Sequence, residues 1–214
     1  MRKSHNSLHL KLVLRYVRPL TWREVAIPGD ATLAQLHQVI QQAFDWDDYH
    51  LHEFEMGKRG LRFTSAEEIK ASKDFWGSED NSLDEKKFSV FEVLFTPDGT
   101  PVKSPKFIYT YDFGDDWEVE VIPKGFYAET VKKGTWALVK MKGLDDPPED
   151  CGGPYGFMEL LAMRANLAEC TDDDIEKLEW YYPDEDFKAK AKAAKKAKKA
   201  EQDATQKAQG TGKK

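Results

Sequence analysis

The sequence is poor in the features that would assign it a chemistry. It has two cysteines, Cys151 and Cys170, in 214 residues. That is too few for a disulfide framework, and a reducing, cytoplasmic setting is the expectation. No run of eighteen apolar residues occurs, so no membrane span and no membrane partner are expected. The N-terminal MRKSHNSLHLKLVLRYV is basic at its start but lacks an unbroken apolar stretch and a small-residue cleavage site, which argues against a signal peptide. GxxxxGK[ST], GxSxG, HExxH and GxGxxG are all missing. The familiar nucleotide, hydrolase and protease chemistries therefore lack their mechanical parts. No helix-turn-helix with a basic recognition helix stands out either, which leaves a recombinase reading without residues to carry it.

What is present is ordinary for a folded domain: 40% hydrophobic and 12% aromatic residues. The net charge of −6 hides an asymmetry. Residues 188–214 hold ten lysines against Glu201 and Asp203, while the rest of the chain holds 22 basic and 36 acidic side chains. The chain reads as an acidic body, 1–187, with a basic tail, 188–214. The tail has no apolar residue larger than alanine to bury, and its lysines repel one another, so disorder is expected there. Weak, sequence-blind contact with nucleic acid through that tail is a further expectation.

Leucine and valine alternate with polar residues over 8–17, and WREVAI (22–27) reads as a second strand. Leu33, Leu36, Ile40 and Phe44 share a helical face, and Thr32 with Gln35 fits a capping box, so a helix is expected over 33–44. HLHEFEM (50–56) predicts a strand that turns at Gly57–Gly60 toward LRF. Residues 65–86 are polar and weakly periodic and read as a loop. SVFEVLF (89–95) fits a short helix or a strand equally well. FIYTYDF and WEVEV alternate on either side of Gly114-Asp115-Asp116, the mark of a hairpin, and TWALVKM (135–141) adds a strand. Phe157, Leu160, Leu161, Arg164 and Leu167 form a helical stripe, and Thr171 before three aspartates caps a last helix. Strands early and helices late, with no regular βαβ alternation, predict an α+β domain with a mostly antiparallel sheet and packed helices.

The hairpin YTYDFGDDWEVEV (109–121) concentrates Asp112, Asp115 and Asp116 around one glycine. A tight turn over an aromatic face, with Phe107, Tyr109, Tyr111 and Phe113 on one side and Trp117 on the next strand, accounts for it structurally. Clustered carboxylates also repel unless a cation or a proton intervenes, and a divalent cation is the cofactor class this implies. The spacing matches no EF-hand loop.

Together with PPEDCGGPYGFMELL (147–161) and RPLTWREVAIPGDATLAQLHQVIQQAFDWDDYHLHEFEMG (18–57), this stretch resembles the plasmid pRi ORF-three-like family. The similarity runs co-linearly from about residue 8 to 168 and leaves out the tail. It implies a single prokaryotic α+β domain, at times a passenger of plasmids and transposons, and carries no activity with it. Some members bear a resolvase label without support. The family pattern usually has histidine where Val119 stands and often cysteine where Asp146 stands, so a Cys/His metal site built on those positions would lack two ligands here.

His50 and His52, two apart on an expected strand, would project from one face at near-chelating distance, with Asp47 and Asp48 upstream. Burial with a satisfied backbone carbonyl is the competing role for both. Cys151 precedes a helix, which lowers a thiol pKa, but Glu149 and Asp150 raise it and no histidine neighbours it, so a nucleophile role lacks its base. If the proline- and glycine-rich loop packs beside the 112–116 turn, Glu149 and Asp150 join the three aspartates in one acidic pocket. The expected binding groove is then Tyr111, Asp112, Asp115, Asp116, Trp117, Glu149, Asp150 and Cys151. The leading functional expectation is a non-enzymatic accessory protein presenting this acidic, aromatic-lined groove to a protein partner. The alternatives are a divalent-metal-dependent enzyme using the same carboxylates, or a nucleic-acid-associated factor acting through the tail.

Overall fold

The computed structural model describes residues 7–57, 60–76 and 81–210. It is an α+β domain that gathers into two compact units, Met1–Tyr155 and Gly156–Lys214. The first unit holds an eight-stranded sheet: β1 (Ser7–Leu14), β2 (Thr21–Pro28), β3 (His52–Met56), β4 (Leu61–Thr64), β5 (Leu83–Asp84), β6 (Phe107–Tyr111), β7 (Trp117–Phe126) and β8 (Ala137–Lys142). The strands lie in the order β5-β4-β3-β6-β7-β1-β2-β8. Every pairing is antiparallel except the β4–β5 edge. Helix α1 (Leu33–Ala43) connects β2 to β3.

Strand alternation sorts the two faces. Leu8, Leu10, Leu12 and Leu14 of β1, with Tyr109 and Tyr111 of β6 and Trp117, Val119 and Val121 of β7, are buried. His37 and Gln41 of α1 reach the hydroxyl of Tyr109, so α1 covers this face. The other face is polar and half-exposed, with ion pairs Arg15–Glu118 and Lys106–Glu120 across it. An antiparallel sheet with one wet side takes this form.

The helix expected from Thr32 and Gln35 is present with both arms of its capping box. The ambiguous 89–95 stretch is helical: α3 (Val90–Leu94) is capped reciprocally by Ser89 and Glu92. The expected 65–86 loop contains instead α2 (Ala66–Trp76) and the short β5. The cause is local, since Ser65 Oγ accepts from Glu68 N–H at 3.1 Å while the Glu68 carboxylate accepts from Ser65 N–H at 3.2 Å. That pair starts a helix without needing an apolar stripe.

α4 (Gly153–Ala165) runs from the first unit into the second, which holds α5 (Asp172–Tyr181) and α6 (Phe187–Gly210). Thr171 caps α5 with Asp174 as the reciprocal partner. The segment expected to be a disordered tail is helical up to Gly210, and its last residues, 211–214, lie outside the described residues. Alanine and lysine are both strong helix formers. Phe187 and Ala191 give α6 a buried start, and carboxylates of Glu179, Glu185 and Glu169 engage Lys188, Lys190 and Lys198. Among the described residues no helix is long and apolar enough to cross a membrane.

Candidate metal centre

Three loops of the first unit meet at one end of the sheet. The loop between α1 and β3 is held by α1. His37 Nε2 lies 2.9 Å from the Asp48 carboxylate, Gln38 donates to the same carboxylate at 3.0 Å, and Asp48 N–H donates to Gln41 Oε1 at 3.0 Å. Because a carboxylate only accepts, His37 carries its proton on Nε2, and Nδ1 accepts from the Tyr109 hydroxyl 2.8 Å away. Burial, and next the neighbouring His52, hold the His37 pKa below its ordinary value, which suits this neutral tautomer.

The turn between β6 and β7 is the second loop. Asp112 takes a left-handed backbone with φ of 54°, and its Oδ1 accepts from Gly114 N–H at 2.9 Å. The third loop, 143–153, is tied down by Arg23. That buried guanidinium donates to Asp146 at 2.8 Å and to the carbonyls of Leu144 and Ala43, both at 3.2 Å. Gly152 N–H donates to Asp115 at 3.0 Å. A Cβ on Gly153 would sit 1.9 Å from the Asp115 carbonyl oxygen, so only glycine permits this contact.

Four side chains converge where the loops meet. His50 Nε2 lies 3.2 Å from Asp150 Oδ1, 3.6 Å from Asp112 Oδ2 and 3.8 Å from Glu149 Oε2. His50, Asp112 and Asp150 each offer one ligand atom, all within 4.8 Å of one another. Glu149 is aimed by its other oxygen, which accepts from Asp47 N–H at 2.8 Å and from the Tyr111 hydroxyl at 2.9 Å. Burial and that bond to Glu149 raise the Tyr111 pKa, so the phenol stays a donor. His50 Nε2 and Glu149 Oε2 are both buried, yet neither has a hydrogen-bond partner among the described residues. Beneath them Trp46 packs on Tyr111 and Trp117 at 5.1 and 5.7 Å between ring centroids. Asp150 opens the cluster to solvent, its side chain 72% exposed.

The sequence-derived candidates separate accordingly. Asp112, Glu149 and Asp150 come together, joined by His50. Asp115 serves as a tie between loops, and Asp116 is exposed, with its backbone N–H closing the turn on the Asp112 carbonyl. Tyr111 and Trp117 are fully buried and support the cluster from below, so they do not line a surface groove. Phe113 leaves the aromatic face for the turn and is 54% exposed. Cys151 is buried, and burial, then Asp115, push its thiol up to about 12, which removes it as a nucleophile.

His50 and His52 do not face the same partners. β3 begins at His52, whose ring stacks on His37 at 3.7 Å and whose Nε2 lies 2.9 Å from buried Glu85. The stacked pair and Glu85 are not legible in the sequence, because Glu85 sits in a polar, weakly periodic stretch. Val119 is fully buried opposite Tyr109 and Leu14, and Asp146 pairs with Arg23, so neither of those positions borders the cluster. Two surface concavities lie elsewhere, one between β3 and β4 beside Asn81 and one between α5 and α6. Among the described residues the β3–β4 concavity gathers no imidazole or thiol donor.

Fold and site together define a small α+β protein with an imidazole–carboxylate cluster at the loop end of its sheet. A profile of the plasmid pRiA4b ORF-3-like proteins matches residues 6–195, and the chain belongs to that family. It is similar to the uncharacterized protein y4hQ of Sinorhizobium fredii (strain NBRC 101917 / NGR234), 33% identical over 173 residues, covering 81% of this chain and 79% of the relative. Among solved structures it is similar to the protein of unknown function MM3350 from Methanosarcina mazei Go1. That match has a TM-score of 0.57 at 30% identity, covering 82% of this chain and 88% of the other.

Proposed function

We propose that this plasmid-type protein binds a divalent transition-metal ion through His50, Asp112, Glu149 and Asp150. The observation that carries the reading is the buried His50 Nε2 without a hydrogen-bond partner, facing three carboxylates within 3.8 Å. An imidazole with carboxylates suits Mn²⁺, Fe²⁺, Co²⁺ or Zn²⁺ better than Mg²⁺ or Ca²⁺, which take oxygen ligands. The second layer fits too: Tyr111 and Asp47 N–H hold Glu149, and Gly114 N–H holds Asp112, as supporting groups hold metal ligands elsewhere. The exposed Asp150 leaves the outer side of the ion to water, whose pKa a metal lowers, so metal-assisted hydrolysis is the chemistry such a site would support.

The rival reading is a cluster that holds no ion and serves only as a tie between the three loops. Metal content of protein purified without affinity histidines, followed by calorimetric titration of the stripped chain with Mn²⁺, Zn²⁺ and Mg²⁺, separates the two. Binding of Mn²⁺ or Zn²⁺ at one site, abolished in His50→Ala, is expected. No binding at millimolar ion overturns the metal reading.

A further inference from the structure

We infer that α6 is a docking surface for the phosphate backbone of a nucleic-acid duplex, independent of the metal site. Helix geometry sorts its lysines into two sets. Lys190 and Lys198 turn toward Glu185 and Glu169 of their own unit. Lys192, Lys195, Lys196 and Lys199, spaced by three, four or seven residues except for the adjacent pair Lys195 and Lys196, fall on adjoining rows of one face and are all exposed. None of these four has a carboxylate within ion-pair distance among the described residues, whereas Lys188, at the head of the same row, pairs with Glu179 at 2.7 Å. From Lys188 to Lys199 the row extends about 16 Å along the helix axis.

Four unpaired cations at this spacing repel one another, and a linear polyanion relieves that repulsion while releasing its own counterions. The residues also choose among polyanions. An interfacial membrane helix needs large apolar side chains opposite its basic face. From 188 to 210, α6 has none bigger than alanine, and Phe187 is buried. The helix offers no aromatic platform for unstacked bases either, which leaves the backbone of a duplex as the surface it fits. Asp172 and Glu176 of α5 share a concavity with Lys188, Lys192 and Lys195, so the approach is from the Lys196 and Lys199 side. The acidic remainder of the chain weakens the encounter.

The test is fluorescence anisotropy of a labelled 24-base-pair duplex with the full chain in EDTA, so that no bound metal enters. Four phosphate contacts predict a slope of log affinity against log salt of about −3 to −4, or on the order of a hundredfold loss from 50 to 200 mM. Combined Lys192→Gln, Lys195→Gln, Lys196→Gln and Lys199→Gln should weaken binding more than tenfold and flatten that slope. The pair Lys190→Gln and Lys198→Gln should do neither, and circular dichroism checks that both variants keep their helix. Absence of binding at 20 mM salt, equal binding by the four-lysine variant, or capture by anionic vesicles without capture by duplex would each overturn the inference.

Discussion

At the scale of single residues, the candidate centre depends on groups that do not touch the proposed ion. Tyr111 donates to the distal oxygen of Glu149 and receives Tyr49 N–H at 3.1 Å. Tyr111→Phe should keep the fold and weaken ion binding about 10- to 100-fold, the usual effect of losing a supporting hydrogen bond. Calorimetric titration reads the change, and unaltered affinity would show that Glu149 is not a ligand. Gly153 works through shape. With φ of 65° and the Asp115 carbonyl where a Cβ would be, Gly153→Ala must separate the two loops. It should cost at least about 1–3 kcal/mol in urea unfolding. His37 gives a pH signature. Its folded pKa lies below the ordinary 6.5, so as pH falls through 6.5 the unfolded chain takes up a proton that the folded chain refuses. Stability conferred by neutral His37 is therefore complete above pH 6.5 and declines from there toward the folded value. The urea midpoint of wild type should fall more between pH 7.5 and 5.5 than that of His37→Gln.

Elements show which parts of the molecule were legible in the residues. β1, β6 and β7 are legible from alternation because each buries one face and wets the other, whereas β2 reads as a run and is buried on both faces. α1 was read from its period and its Thr32–Gln35 cap. α2 was missed because its start is written in Ser65 and Glu68, a polar pair inside a polar stretch. α6 is not legible from its own lysines, because the carboxylates of Glu179, Glu185 and Glu169 that offset their repulsion lie before it in the chain. Ser65→Ala should therefore cost about 0.5–2 kcal/mol, measurable by thermal unfolding. At the site, Asp112, Glu149 and Asp150 stand in two acidic loops that the sequence marks, and the structure brings them together. The approach of His50 to those carboxylates is not legible in the residues, because it depends on β3 starting at His52, two residues later than the alternation suggests. Trp117, fully buried on β7 beside Trp46, should cost about 3–5 kcal/mol on truncation to alanine. A loss below about 0.5 kcal/mol, typical of surface sites, would contradict its place in the core.

For the whole molecule, the boundary expected at 187/188 meets the first turn of α6, where Phe187 and Ala191 are buried. Limited trypsin digestion should accordingly start beyond Lys192, among the exposed lysines, before it reaches Lys188 or Lys190. Early cleavage at Lys188 would place the whole of α6 outside the packed structure.

His50, Asp112 and Asp150 come from points in the chain separated by about 60 and about 40 residues, lengths at which a cross-link removes on the order of 4 kcal/mol of freedom from the unfolded state. With both cysteines free, an ion held by these three loops would be a reversible staple. Unlike a disulfide, it would be set by metal supply rather than by redox poise. Resistance of the protein to unfolding would then track the metal status of the cell that carries it.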